Sequence, residues 1–319
     1  SYRTMQKDLA QRGRASMLQV IRCCSKVGCV SPDFVYKLFD AQVTPVLLYS
    51  SELWGMKDCT EIERVHLQTL KRFLHLPPQA PNAIVYGETG RYSLSITAKL
   101  RAIKYWLKIL RMDSSRYPRK VYDMMLHVGN NTWINDLQNL LYSHDFENEW
   151  RSQTVQNEVQ FIRLLKKRLI EEFIQDWSDT IAGSDRYSFY RSFKNVFTRE
   201  SYLYTVDKQI YRDILIHFRA GVSQLYAHRY RFYKEDTDQF TCPSCNEEEE
   251  DEEHVLLRCP AYAELRKKFI FRLFDPLLHI NILDLFNCND VETTRSLSMY
   301  LFYTMKQRQD AIINRECLC

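Results

Sequence analysis

Apolar residues recur along most of the chain at intervals of three or four positions, the period of an α-helix that buries one face. The clearest stripe, from Ile96 to Leu110, covers too few heptads for a dimerising coiled coil and is typical of a helix packed on its neighbours. No stretch shows the alternation of a β-rich domain. Glycine is scarce, at 8 residues, and proline totals 9, so few tight turns are encoded. The pattern therefore predicts a mainly α-helical protein.

Breaks in the apolar stripes set the expected helix ends. A basic amphipathic helix at about 3–27 ends at Gly28, and Pro45 must kink or restart the helical stretch that follows. Another helix, at about 60–76, stops at Pro77. Further helices are expected at about 31–54, 95–113, 118–127, 132–143, 155–181, 206–220 and 291–314, and one that begins at Pro260.

The length of 319 residues allows two or three domains. Gly183 marks the best candidate boundary, because the sequence beyond it becomes rich in tyrosine and phenylalanine. We therefore expect two helical segments, at 1–76 and 77–183, that form a multi-helix bundle. They precede an aromatic-rich helical domain at 184–319, which carries a small zinc-knuckle insertion at 242–259.

That insertion contains the spacing C-x2-C-x8-H-x4-C, formed by Cys242, Cys245, His254 and Cys259. Two thiolates separated by two residues suit one tight turn around a tetrahedral ion, and Pro243 favours that turn. Four such donors leave no open position, so the pattern predicts one structural zinc ion rather than a catalytic one. The alternative is a buried histidine among ordinary free thiols.

The overall charge of +4 permits nucleic acid as a partner without requiring it. Ten cysteines without a secretory signal indicate a reducing compartment, so the expected location is nuclear or cytoplasmic. The longest apolar region, 269–286, is interrupted by charged residues, so no membrane association is expected. The acidic run at 247–253 lacks the glycine turn of a calcium loop and is expected to be solvated.

A run that alternates cations with aromatic residues, HRYRFYK at 228–234, lies directly before the metal motif. Such a run suits phosphate contact combined with base stacking, although its tyrosines could equally pack and its arginines snorkel. A basic ridge at 163–168 is either a solvated face or a second phosphate contact. The predicted nucleic-acid surface comprises Arg229, Tyr230, Arg231, Phe232, Tyr233, Lys234, Arg258, Arg266 and Lys267.

Three stretches carry a family resemblance: VTPVLLYSSELWG at 43–55, NAIVYGETGRYSL at 82–94, and a block from RAGVSQLYAHRYRF at 219 to CPAYAELR at 259–266. Together they resemble the region after the catalytic palm of non-LTR retrotransposon reverse transcriptases. Ser50 and Ser93 depart from that pattern, which usually has glycine and proline there. In the third block the matching residues are Arg219, Gly221, Cys242, Cys245, Glu253, His254, Leu256, Cys259, Pro260, Tyr262 and Arg266.

The resemblance implies a thumb-like segment, a connection and a zinc knuckle that position template RNA or target DNA for an upstream polymerase domain. The chain contains no Asp-Asp pair, which that polymerase needs to hold Mg²⁺, so we assign no catalytic residues and expect no activity from this chain alone. The alternative is a zinc-organised structural or protein-interaction module derived from such an element. Four histidines, His66, His75, His127 and His144, are expected to be structural and without partners.

Overall fold

A computed structural model describes residues 2–27, 31–128, 132–233, 240–271, 285–286 and 290–316. These residues form seventeen α-helices and no β-sheet, and one isolated β-bridge joins Thr241 to Glu249. The mainly α-helical fold is therefore confirmed. No helix of the described residues is long and apolar enough to cross a membrane.

The helices fall into two compact units, and their bounds differ from the three predicted segments. The first unit comprises residues 2–27, 33–69 and 92–177, and the second comprises 31–32, 70–91 and the described residues from 178 onward. The stretch at 70–91 thus belongs with the carboxy-terminal half of the chain.

Within the first unit, one core forms where the amino-terminal helices pack together. Its buried residues include Val20, Leu47, Trp54 and Ile62, with Ala98 from a later helix. A new helix begins at Thr44, with Pro45 in its first turn, directly after a π-helical turn at Phe39–Val43, so the helical stretch restarts at this proline as predicted. The helices are α1 (Tyr2–Val27), α2 (Pro32–Leu38), α3 (Thr44–Leu47), α4 (Ser51–Trp54) and α5 (Thr60–Phe73).

A second core of the same unit surrounds Trp106, which is fully buried and donates its indole N–H to the Tyr122 hydroxyl at 2.9 Å. The predicted stripe from Ile96 to Leu110 faces this core, with Leu110 partly buried, so its helix packs on its neighbours as expected. The helices are α7 (Leu94–Leu110), α8 (Tyr117–Val128), α9 (Thr132–Ser143), α10 (Glu147–Ser152) and α11 (Glu158–Ala182).

The second unit carries the metal motif. Its first helix, α6 (Asn82–Thr89), has no exposed face, which explains why an amphipathic pattern does not reveal it. The remaining helices are α12 (Ser188–Phe193), α13 (Tyr202–Thr205), α14 (Gln209–Arg219), α15 (Tyr226–Tyr233), α16 (Ala263–Phe269) and α17 (Val291–Glu316). Short 3-10 turns lie at Asp185–Tyr187 and Pro260–Tyr262, and a π-helical turn lies at His254–Arg258.

Gly55 sits where α4 meets α7. A Cβ at this position would lie 2.5 Å from the Ala98 carbonyl oxygen and 2.5 Å from that of Ser51. Gly55→Ala is therefore expected to lower the free energy of unfolding by about 1–3 kcal/mol, since backbone atoms must move to admit the methyl group. Urea unfolding measures this change. Gly183→Ala, whose Cβ would meet one atom at 3.0 Å, is the control, and an equal loss in both variants would contradict the steric explanation.

Candidate metal centre

A short hairpin brings the first two predicted ligands together. The Cys242 amide donates to the Glu248 carbonyl at 2.8 Å, and the Glu250 amide donates to the Phe240 carbonyl at 2.7 Å. Asn246 takes a left-handed conformation at the tip, with φ of 64°, and its amide donates to the Cys242 carbonyl at 3.0 Å. This tight loop turns both thiols of the C-x2-C pair to the same side.

The other two ligands come from a single π-helical turn. The Cys259 amide donates to the His254 carbonyl at 2.7 Å, five residues back, so the two side chains project from one compact turn. Pro260 then begins a 3-10 turn that leads into α16, which confirms the predicted helical start at this proline.

The donor atoms of Cys242, Cys245, His254 and Cys259 all lie within 4.8 Å of one another. The Cys242 and Cys259 Sγ atoms are 3.9 Å apart, and the Cys245 Sγ atom is 3.4 Å from His254 Nε2. Three of the four residues are buried. The predicted ligand set thus forms a closed Cys3His cluster with the geometry to hold a metal ion.

The surroundings of this cluster favour the thiolate form that binds metals. A hydrogen bond from Cys259, followed by the backbone N–H groups of Ser244 and Cys245, lowers the pKa of Cys242 to about 4 against the opposing effect of burial. The same hydrogen bond, together with burial, raises the pKa of Cys259, so the proton between the two sulfurs stays on Cys259. A bound cation would release that proton.

Glu248 orients the histidine ligand. Its Oε2 atom lies 3.1 Å from His254 Nδ1 and also accepts a bond from Arg258 Nε at 3.1 Å. A carboxylate on the far nitrogen fixes the imidazole so that Nε2 faces the cysteines. Hydrogen bonds from His254 and Arg258 lower the pKa of Glu248, which keeps this carboxylate charged.

The acidic run anchors the loop to the helices around it. Glu250 is 1% exposed and makes a bidentate ion pair with Arg308 of α17, at 2.5 Å and 2.7 Å. Glu252 is buried beside His228 of α15, with Oε1 3.0 Å from Nε2. The prediction of a wholly solvated loop is therefore wrong for these two glutamates, because Arg308 and His228, which are distant along the chain, lie within hydrogen-bond distance of their carboxylates.

The predicted nucleic-acid residues are not all on the surface. Arg266 is 4% exposed, and its Nη2 atom donates to the Cys259 carbonyl at 2.5 Å, so it supports the metal loop rather than facing a phosphate. Arg258 is exposed but lies among Glu248, Asp251 and Glu253, whose carboxylates balance its charge.

The other predicted contacts lie in α15 and α16. Lys267 and Tyr230 are exposed, and Arg229 is half-buried. The Tyr230 ring meets Phe240 edge to face at 5.2 Å, as in the packed alternative for this run. The side chains of Arg231, Phe232 and Tyr233, and all of Lys234, lie outside the described residues.

In the basic ridge of α11, Arg163, Lys166 and Lys167 are exposed, whereas Arg168 pairs with Asp145 at 3.3 Å.

Sequence reasoning missed a buried ion pair that joins two of the motif blocks. Arg219 at the end of α14 donates from Nε and Nη2 to the two carboxylate oxygens of Glu88 in α6, at 3.0 Å and 2.9 Å. Both side chains are buried, and the Tyr202 hydroxyl donates to Glu88 at 2.7 Å. Burial acts to raise the pKa of Glu88, but the Arg219 charge outweighs it and leaves the pKa lowered. The available signal was a charged residue next to a short apolar run: Glu88 follows AIVYG at 83–87, and Arg219 follows Phe218.

The four histidines expected to lack partners all have one. His66 contacts Glu63, and His75 contacts Asp213. His127 contacts the Asp123 carbonyl, and His144 contacts Glu172. Their partners lie within one turn of helix for His66 and His127 and far along the chain for His75, so spacing alone identifies only some of them.

Comparison of the chain with protein-family models, with curated proteins and with solved structures gives no match in any of the three.

Proposed function

We propose that this chain is the non-catalytic, carboxy-terminal part of a non-LTR retrotransposon reverse transcriptase, which binds one structural zinc ion and holds RNA or DNA for an upstream polymerase domain. The closed Cys3His cluster is the observation that carries this proposal. The Glu88–Arg219 pair adds support, because one residue of each of two resembling motifs meets the other inside a single unit.

Zinc is the metal that suits the cluster best. Zn–S bonds of about 2.3 Å in a tetrahedron separate two sulfurs by about 3.8 Å, close to the 3.9 Å between Cys242 and Cys259. Three thiolates and one imidazole match the soft-to-borderline preference of zinc and leave no position for a reacting water. The ion would fix the loop and perform no chemistry.

The amino-terminal helix α1 supports a nucleic-acid role. It carries six cations and a single acid, Asp8, which pairs with Arg12 at 2.9 Å. From the first to the last of its basic positions the helix spans about 35 Å at about 1.5 Å per residue, long enough to follow several phosphates. One stripe of its surface contains Arg3, Lys7, Arg14, Arg22 and Lys26.

The triple substitution of Lys7, Arg14 and Arg22 by alanine is expected to weaken binding of RNA or DNA. Log affinity falls with log salt concentration, and each phosphate contact contributes about 0.9 to the steepness of that fall. The loss of three contacts should therefore make the slope shallower by about 2–3. Fluorescence anisotropy with labelled single-stranded and duplex oligonucleotides, titrated over a range of salt, measures both effects.

Arg12→Ala is the matched control, because Arg12 lies in the same helix but is already paired with Asp8. Affinity that does not depend on salt, or an equal loss in the control, would overturn the nucleic-acid role.

One observation favours a second function, a protein-interaction module. Four large apolar residues of α8 are exposed at helical spacing: Tyr117, Val121, Met124 and Val128. Exposed stripes of this kind commonly mark protein contacts. If the folded chain binds no oligonucleotide at low salt, this function replaces the first.

A further inference from the structure

Helix α8 has one side in the core of the first unit and another in solvent. Tyr122 lies on the inner side, where it is buried and accepts a hydrogen bond from the Trp106 indole at 2.9 Å. The outer side carries the α8 stripe, four large apolar residues that are each more than half exposed: Tyr117, Val121, Met124 and Val128. The nucleic-acid role proposed above does not use this stripe.

The spacing of the α8 stripe fits a second helix. Its residues lie four, three and four positions apart, so at about 100° per residue all of them fall within a band of about 60° on the helix surface. The band is about 16 Å long at about 1.5 Å per residue. A straight row of apolar side chains at this spacing packs well against the apolar side of another helix.

Cations border the α8 stripe on one side. Lys120 lies three positions after Tyr117 and four before Met124, and residues at those separations are neighbours on a helix surface. The Lys120 amide donates to the Arg116 carbonyl at 3.0 Å, so Arg116 lies one turn earlier on the same side. Both side chains are exposed, and neither makes an ion pair with any described residue.

Helix α8 itself offers no acid to these cations. Its single acidic residue, Asp123, accepts from Arg119 Nε at 3.0 Å and 3.1 Å. A second α8 helix packed on the stripe would therefore bring another cationic border and no unengaged acid. In an antiparallel, two-fold symmetric pair the two borders would face each other and repel. The charge beside the stripe thus favours a partner with acidic residues over a second copy of this chain.

We propose that the α8 stripe is the docking site of an amphipathic helix of another protein, whose apolar residues cover the stripe and whose acidic residues meet Arg116 and Lys120. Removal of the four large side chains from water drives the association, and the charges determine which helix binds. The proposal deepens the protein-interaction function given above, on which it rests, and it does not depend on the nucleic-acid role.

The test is fluorescence anisotropy of the full chain with two labelled synthetic peptides of about 18 residues, long enough to span the stripe when helical. Both peptides carry leucine at every third or fourth position. One has glutamate beside the leucines, and the other has lysine at the same positions. At low salt the glutamate peptide is expected to bind at least about tenfold more tightly than the lysine peptide.

Two variants test the two parts of the site. The double variant Val121→Gln, Met124→Gln removes apolar surface without a change of charge, and it should weaken binding of the glutamate peptide about tenfold or more. Lys120→Glu should reverse the preference between the peptides. The altered side chains are exposed, and circular dichroism checks that the variants fold.

Val159→Gln is the matched control, because Val159 of α11 is an exposed valine of the same unit outside the stripe. Equal affinity for the two peptides, or a loss in this control equal to that of the double variant, would overturn the proposal. Sedimentation velocity tests the second copy: self-association that the double variant abolishes would show that the stripe binds another chain of this protein. Stripe-dependent flotation with phosphatidylserine vesicles would assign the stripe to a membrane surface instead.

The proposals fail in different ways. If oligonucleotides bind with the α1-dependent salt slope but neither peptide binds, the docking proposal is overturned and the nucleic-acid role stands. If the stripe mediates self-association, the protein-interaction function stands but the acidic helix is overturned as its partner. If the glutamate peptide binds and oligonucleotides do not, the nucleic-acid role alone is overturned.

Discussion

Removal of the metal ion is expected to unfold the loop around Cys242 and Cys259. An isolated β-bridge and a few backbone hydrogen bonds close the hairpin, and Arg308 and Arg266 join the loop to neighbouring helices through Glu250 and the Cys259 carbonyl. None of these contacts holds the four ligand side chains together, so their arrangement is expected to depend on the ion. Structural zinc contributes about 10–16 kcal/mol in small zinc modules, where binding and folding are one equilibrium. His254→Ala or Cys259→Ser should therefore reduce the metal content from one ion per chain to none.

Elemental analysis measures the stoichiometry, and hydrogen exchange locates the structural loss. The amides of Cys242, Glu250 and Cys259 should lose protection after chelation, while those of α7, buried around Trp106, keep theirs. Cys23→Ser is the control, because Cys23 is an exposed free thiol of the first unit. Full protection of the loop after chelation, or full metal content in His254→Ala, would contradict a structural zinc ion.

The sequence predicts the metal cluster well because its geometry is local. All four ligands come from 18 consecutive positions, 242–259, and each pair is delivered by a turn of at most six residues. The same locality explains why the helical start at Pro260 is correct. The spacing of the metal ligands and the backbone restriction at proline both depend on atoms that are close in the sequence. Both can therefore be evaluated without knowledge of the fold.

Burial of charged residues cannot be evaluated in that way. Glu250 is buried because Arg308 meets it from a position 58 residues later, and Arg266 is buried because the Cys259 carbonyl accepts a hydrogen bond from its guanidinium. Nothing in the local run distinguishes these side chains from the exposed Glu249 and Lys267 beside them. The helix α6 is missed for a related reason: when every face is buried, the sequence has no amphipathic period.

The pair formed by Glu88 and Arg219 gives the second prediction. Together with the buried Lys194 and the half-buried Glu200 it forms a group of two cations and two carboxylates, in which Arg219 also lies 2.9 Å from Glu200 and Lys194 contacts Glu200. Arg219→Ala or Glu88→Ala leaves one uncompensated charge in this group. Each is expected to lower the free energy of unfolding by about 3–5 kcal/mol, measured by urea denaturation at pH 7.

The double variant Glu88→Leu, Arg219→Met should be more stable than either single variant, because Lys194 and Glu200 still neutralise each other.

The lowered pKa of Glu88 also predicts how stability depends on pH. The stabilisation that the charged Glu88 contributes is complete above the ordinary glutamate pKa of about 4.3, and it is lost as the pH falls through the lower pKa of the folded protein. The free energy of unfolding should therefore decline more steeply in acid for the wild type than for the double variant.

Arg151→Ala serves as the control, since Arg151 and Glu147 form an exposed pair one helical turn apart, and little change in stability is expected there. A double variant less stable than both single variants would show that packing around Arg219, whose guanidinium lies 4.7 Å from the Phe193 ring centre, matters more than charge balance. In that outcome the Glu88–Arg219 pair would join the two motif blocks through shape rather than through charge. The conservative replacement Arg219→Lys would then be as harmful as alanine, because lysine lacks the planar guanidinium that stacks on the Phe193 ring.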